Sequence, residues 1–299
     1  IAALRRTCLR GEVADQLFGP DTSTLAYLRG RGFGPAIIER FFRPFLGGIF
    51  LDPELATSSR MLRFVFRMFS SGDALVPARG MAAIPAQLAA RLPDGSIRLN
   101  TPVAETGPGR VVLESGEVIE TPCVVVAADG ARAAALVPGV AAPAWCPVQC
   151  LYYAVPEAPL AEPVLVLEGE GRGPINNLVF PTRVAPDYGP GDEDLASVTV
   201  VGPLADDPAA LRRDVEKQLK EWFGPAVDRW RHLRTYRIAR ALPRQAPGWL
   251  DPPSRSPGTP PGVFVAGDHL ETASTNGALA SGRKTAARVL EHLGGAADG

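Results

Sequence analysis

The chain has 299 residues, 46% of them hydrophobic and 21% charged, a composition that supports two ordinary globular cores. Its net charge of −1 excludes a nucleic-acid partner held mainly by electrostatics. No stretch approaches the roughly 18 apolar residues of a membrane-spanning helix, and no signal peptide opens the chain, so it is expected in the cytoplasm, with membrane association as the alternative. Four cysteines are too few for a secreted disulfide scaffold. Cys146 and Cys150 have no His or Cys cluster beside them to complete a metal site.

Residues 1–70 read mostly as helices: a short amphipathic one at the start, 25–29 capped by Asp21 or Thr22, and 36–42 with Pro35 in its first turn. A further helix, 60–69, follows the capping Ser58 and Ser59. It carries Arg60, Arg63 and Arg67 on one face and apolar residues around the rest. Eight of the twelve phenylalanines lie between Phe33 and Phe69. They make either a helical core or a wall around an apolar substrate channel or membrane-facing patch, with the three arginines toward water or lipid headgroups.

Residues 74–77 are expected as a short strand broken at Arg79-Gly80-Met81, and 84–92 as a helix. Short β runs follow at 97–99, 103–105, 111–114, 118–120 and 123–127, separated by Gly-rich turns. Asp129-Gly130 closes the last run, and 131–136 reads as a helix. A second sheet is expected from 148–155, 164–167, 177–180, 197–201 and 232–239, with an amphipathic helix at 208–223. After a Pro-rich stretch, the apolar strand 263–266 runs into Gly267-Asp268, and a long helix opens at about Thr275 or Asn276 and continues to 293.

That tail carries the chemistry. Glycine at a strand end lets backbone approach a ligand, and a carboxylate there accepts hydrogen bonds from sugar-like hydroxyls. A helix start offers unpaired N–H groups and a positive dipole end, here at Asn276-Gly277-Ala278. The plain alternative is a turn with a packed helix. His269 follows Asp268 but should point to the opposite face. No Gly-x-Ser-x-Gly elbow, P-loop or glycosidase carboxylate pair is present. There is also no N-terminal strand followed by Gly-x-Gly-x-x-Gly, which suggests a piece whose front is missing.

The segment from Val263 through Gly267-Asp268 to Asn276-Gly277-Ala278 and Ser281-Gly282 resembles the C-terminal flavin-binding motif of the FAD-dependent amine oxidase and phytoene desaturase superfamily. Gly80-Met81 through Leu88 is similar to that family's crossing into the flavin domain. Asn100-Thr-Pro-Val103 with the β-meander, ending at Ala127-Ala128, resembles the middle of that domain. The resemblance implies FAD as cofactor. Asp268 would contact its ribityl or pyrophosphate portion, and Asn276, Gly277 and Ala278 would present amides near the flavin pyrimidine edge. Val103 would meet the adenine, with Ala127 and Ala128 close by, and Gly80 and Met81 would pass the isoalloxazine.

The implied fold class is α/β, a two-domain FAD-binding oxidoreductase lacking its N-terminal dinucleotide-binding βαβ unit, with an α+β substrate domain. The flavin domain would comprise 74–144 and 259–299, and the substrate domain 1–73 and 145–258. The implied reaction moves a hydride from substrate to flavin N5, with reoxidation by an unspecified acceptor. Thr272-Ala273-Ser274 stands where the amine-oxidising branch carries an aromatic residue, and no lysine precedes Glu216. An apolar or amphipathic substrate of the desaturase type is therefore expected over a polar amine. The rivals are a flavin amine oxidase and a non-redox binding protein of the Rab GDP-dissociation-inhibitor type.

Overall fold

A computed structural model describes residues 1–189 and 191–295. The chain forms two compact units, Ile1–Arg91 with Trp145–Leu242 and Leu92–Ala144 with Pro243–Gly299.

The first unit opens with helices α1 (Ala2–Cys8), α2 (Thr24–Gly30), α3 (Pro35–Ile37), α4 (Arg43–Phe50), α5 (Ser59–Ser71) and α6 (Ala83–Ala89). The cap of α2 is Ser23, whose Oγ accepts from Ala26 N at 3.1 Å, not Asp21 or Thr22. Asp21 instead accepts from the hydroxyls of Ser58 and Ser59, at 2.7 and 3.2 Å. The helix expected to stop at 42 continues: a wide π turn, Ile38–Phe42, joins α3 to α4 and absorbs Pro44, which has no N–H to give. Ser58 caps α5 through its bond from Arg60 N at 3.1 Å.

The arginine row on α5 does not face water. Arg60 is buried and donates to Gly19 O, Arg63 donates to Phe18 O at 2.7 Å, and Arg67 donates to Cys8 O at 3.0 Å and Arg10 O at 3.2 Å. Those carbonyls belong to an irregular segment with few partners of its own, so the guanidinium groups supply the missing donors. Phe42, Phe50 and Phe66 are buried, and edge and stacked ring contacts link Phe33, Phe42, Phe41, Phe45 and Phe69. Three of these phenylalanines are helical core, while Phe69 is 48% exposed.

The same unit holds a five-stranded sheet in the order β6-β7-β8-β5-β9, made of β5 (Trp145–Val155), β6 (Leu165–Leu167), β7 (Asn177–Val179), β8 (Asp194–Val201) and β9 (Arg231–Pro243). β5 and β8 pair antiparallel from Val148↔Val201 to Val155↔Asp194. Alternate residues Leu151, Tyr153, Val155, Ala196, Val198 and Val200 turn to one face. There they bury Leu211, Val215 and Leu219, which are spaced four apart on helix α8 (Pro208–Phe223).

In the second unit an antiparallel meander, β1 (Val103–Gly107), β2 (Arg110–Leu113) and β3 (Val118–Glu120), precedes β4 (Val124–Val126). β4 pairs in parallel with β10 (Val263–Val265), and helices α7 (Gly130–Leu136) and α9 (Thr275–Gly295) complete the unit. Its core is Val124, Val126, Ala133, Val137, Val263, Val265 and Leu270.

Two expected strands do not form. Residues 74–77 and 97–99 find no partner strand, and Leu75 and Leu99 are 85% and 78% exposed. The unit boundaries also differ from 73/74 and 258/259. Residues up to 91 join the first unit, where Tyr188 Oη donates to Pro77 O at 2.9 Å. Residues 243–258 join the second, where Arg255 N donates to Leu270 O at 2.8 Å and Gln245 bonds the backbone of Glu271 and Ala273.

Candidate functional site

The register Val263↔Val124, Phe264↔Val125, Val265↔Val126 brings the carboxyl ends of two parallel strands side by side. Ala266 N donates to Val126 O at 3.0 Å and extends the ladder. Ala127-Ala128 and Gly267-Asp268 therefore leave from adjacent strand ends, the place where open α/β sheets bind ligands. Helix α9 fixes this corner: Ser281 Oγ accepts from Gly267 N at 3.0 Å, and Thr285 Oγ donates to Val265 O at 3.2 Å. Gly267 is required here by its neighbour. A Cβ at this position would stand 2.5 Å from the His269 ring.

Burial raises the Asp268 carboxyl above its ordinary value, and the charge of Asp129, the N-cap of α7, adds to the rise. His269 and the amides of Asp268 and His269 offset only part of this. The half-buried carboxylate accepts from those amides and keeps acceptor capacity for a hydroxyl-bearing ligand. His269 is buried beside it, with no hydrogen-bond partner on either ring nitrogen among the described residues. Burial holds its pKa below the usual histidine value, so the ring is neutral at pH 7. Asp268 is half-buried and His269 fully enclosed, and the two open a single 3-10 turn, Asp268–Leu270, so the strand alternation expected for them does not apply.

At the start of α9 the amides differ from the expected row of three. Gly277 N donates to Ser274 Oγ and Ala278 N to Ser274 O, both at 2.9 Å. Ser274 thus serves as the cap, and the Asn276 amide is the one of the three without a partner among the described residues. Gly277 is dictated by packing, since a Cβ there would fall 1.8 Å from Thr272 O. The Val103 carbonyl accepts from the Arg132 guanidinium. Gly80 and Met81 lie in the first unit, Gly80 at φ +87° with its amide bonded to Pro77 O at 3.0 Å, and Met81 half exposed.

Two residues important to this corner, Thr285 and Gln245, escaped the sequence reading, and Ser281 was read only as part of the tail motif, without its bond to Gly267 N. Ser281 and Thr285 fall on one helical face, a spacing that could have exposed them as a polar pair against the strand end. Gln245 bridges Glu271 O at 2.8 Å and Ala273 N at 3.0 Å, thereby holding the loop between Asp268 and α9. Nothing in its local sequence marks it.

The profile of the flavin-containing amine oxidoreductases matches residues 10–290. No curated protein matches the chain in sequence. Among solved structures, a proposed protoporphyrinogen oxidase from Exiguobacterium sp. 255-15 superposes with a TM-score of 0.69 at 18% identity, covering 94% of this chain and 71% of that one. An oxidoreductase from Methanosarcina mazei gives a TM-score of 0.68 at 17% identity, over 93% of this chain and 70% of the other. Cyclohexylamine oxidase from Brevibacterium oxydans IH-35A gives 0.65 at 16%, over 98% and 74%. At these identities the structures establish a shared fold. With the profile spanning nearly the whole sequence, the chain belongs to the flavin-containing amine oxidoreductase family, and it is an FAD-dependent oxidoreductase.

Proposed function

We propose that Asp268, with Gly267, Ala127, Ala128 and the amide of Asn276, holds FAD, and that the substrate is apolar or amphipathic, as in the phytoene desaturase branch. The observation that carries the cofactor assignment is the half-buried carboxylate of Asp268 at the joined ends of two parallel strands. It fits the ribityl or ribose hydroxyls of FAD. The Asn276 amide, at the positive end of a 21-residue helix, fits a carbonyl or phosphate oxygen. Bound FAD supplies the redox chemistry as a hydride acceptor at N5. The chain's own residues orient it: Ser281 and Thr285 fix the strand end, Gln245 fixes the loop, and Ser274 fixes the helix start.

Substrate polarity is read from the open face of the five-stranded sheet. A groove of about 470 Å³ is lined by Cys150, Tyr152, Leu195, Leu233, Tyr236 and Ile238, with Arg234 as its single charged liner. Tyr152 and Tyr236 meet edge to face at 5.7 Å. Burial pushes the Tyr152 hydroxyl up to about 12, so it carries no charge at neutral pH. Such a surface favours burial of apolar area at about 25 cal/mol per Å². Arg234 repels a protonated amine and tolerates an acidic headgroup, which argues against the polar-amine reading. That reading retains the support of fold neighbours that oxidise amines by name, cyclohexylamine oxidase among them.

The test is anaerobic flavin reduction of the FAD-loaded protein by a panel of polyenes, quinols, porphyrinogens and small amines. Reduction by apolar members is expected. Rapid reduction by a small polar amine alone would reverse the substrate assignment, and a protein that takes up no FAD would overturn the cofactor site.

A further inference from the structure

The second unit contains a cavity of about 360 Å³ that the flavin assignment leaves unused. Its walls include Val140, Trp249, Pro252 and Leu270, and its polar liners include Arg255 and His269. That volume lies within the range of small-molecule sites, about 300–1,000 Å³.

Its polar groups are fixed in place but electrostatically unanswered. The Arg255 guanidinium stacks 4.1 Å over the Trp249 ring and spends one N–H on Trp249 O, while its backbone amide bonds Leu270 O at 2.8 Å. No carboxylate pairs with it among the described residues, and burial alone acts on its pKa, downward. His269 is buried beside the cavity with neither ring nitrogen partnered. Gly130 and Gly267 lie so near the ring that a Cβ on either would fall within 3 Å of it. A half-buried guanidinium without an anion is unfavourable, and its planar fork is shaped for a carboxylate.

We propose that this cavity binds a small monocarboxylate with a flat apolar body, its carboxylate on Arg255 and its body against Val140 and Leu270. The assignment does not depend on where FAD sits. A dication or polyamine has no acidic partner among the cavity's liners, and a neutral apolar ligand leaves Arg255 unpaired.

The probe is benzoate, titrated calorimetrically into the purified protein, with benzamide as its neutral isostere. Saturable benzoate binding is expected, with benzamide weaker by at least about tenfold, the loss of one charge-assisted hydrogen bond. Arg255→Gln should abolish that difference. Because Arg255 also packs on Trp249, a second variant, Val140→Trp, fills the cavity and leaves the guanidinium in place. It should keep the wild-type melting temperature and lose benzoate binding. Equal affinity for the two probes, or undiminished benzoate binding by Val140→Trp, would overturn the proposal. So would mutual displacement of benzoate and FAD, which would make the cavity part of the flavin site. A protein that ignores FAD yet binds benzoate would sink the flavin assignment and leave this one standing.

Discussion

The two units are stabilised in different ways. The first has the larger apolar layer, with Leu151, Tyr153, Leu178, Val198 and Leu219 buried between the β5–β8 face and α8, and its buried polar residues, among them Asp52, Arg60 and Gln218, stand apart from any candidate cofactor residue. The second has a thinner core of valines and alanines and buries a polar set beside it: Gln245, His269, Glu271, Thr272, Ser281 and Thr285. Apolar burial is non-directional and tolerates exchange of similar shapes, whereas each buried donor needs an acceptor at a fixed place. In the second unit that polar set stands around the strand ends that carry the candidate cofactor residues. A carboxylate or an amide must be aimed, and hydrogen bonds aim better than methyl groups.

The largest expected effect belongs to the apolar layer. Leu219→Ala should destabilise the first unit by about 2–5 kcal/mol, read from the denaturant midpoint, with little change in flavin affinity per folded molecule. If it instead released flavin from protein that remained folded, the division of labour between the units would be wrong.

Asp268→Asn comes next and should act in two directions. Flavin retention should fall by about 10–150-fold, the equivalent of about 1.5–3 kcal/mol, measured by equilibrium dialysis. The ligand-free protein should become more stable at neutral pH. The folded-state pKa of Asp268 is raised, so the stability present below the ordinary aspartate value is lost as pH rises through the folded value, and asparagine removes that loss. An unchanged flavin affinity would return Asp268 to the role of a turn residue.

Ser274→Ala removes the bond from Gly277 N and should cost about 1 kcal/mol in the thermal midpoint, with Thr at this position restoring most of it. The smallest effect at neutral pH belongs to His269. Its folded pKa is depressed, so it contributes stability above about pH 6.5 that is lost as pH falls through the folded value, when the unfolded chain takes up a proton the buried ring refuses. His269→Phe should flatten the acid limb of the stability curve. The remaining slope would come in part from His232, which is depressed for the same reason. An acid limb identical to wild type would place the titration elsewhere.

Much of this fold is legible in the sequence. The helix at 208–223 and the strand at 118–120 appear with the expected bounds, because Leu211, Val215 and Leu219 keep a clean four-residue spacing and Ser115-Gly116 marks the turn before β3. The helix past residue 42 was hidden by Pro44, since a π turn ahead of it is a tertiary accommodation without a local signal. Residues 74–77 and 97–99 have strand-like composition but no partner, and pairing is not a property of one segment. At the site, Gly267-Asp268 and the helix start were visible as a motif. The capture of the Gly277 and Ala278 amides by Ser274, of the Val103 carbonyl by Arg132, and of the 8–19 carbonyls by the α5 arginines was not. Those side chains reach across folded space to satisfy backbone groups, and sequence spacing does not record the reach.

The crowding around His269 has an evolutionary consequence. A Cβ on Gly130 would come within 2.9 Å of the imidazole Cγ and 2.8 Å of Pro143 Cδ, and one on Gly267 within 2.5 Å of the same ring. Positions 130, 267 and 269 are therefore inherited as a set. A lineage that keeps a large ring at 269 cannot accept alanine at 267, while one that first shrinks 269 to a small residue opens 267 to drift; position 130 stays closed as long as Pro143 stands against it. Positions 267 and 269 should vary together in descendants of this sequence, with the substitution at the histidine coming first, whereas 130 should change only after both 143 and 269 have.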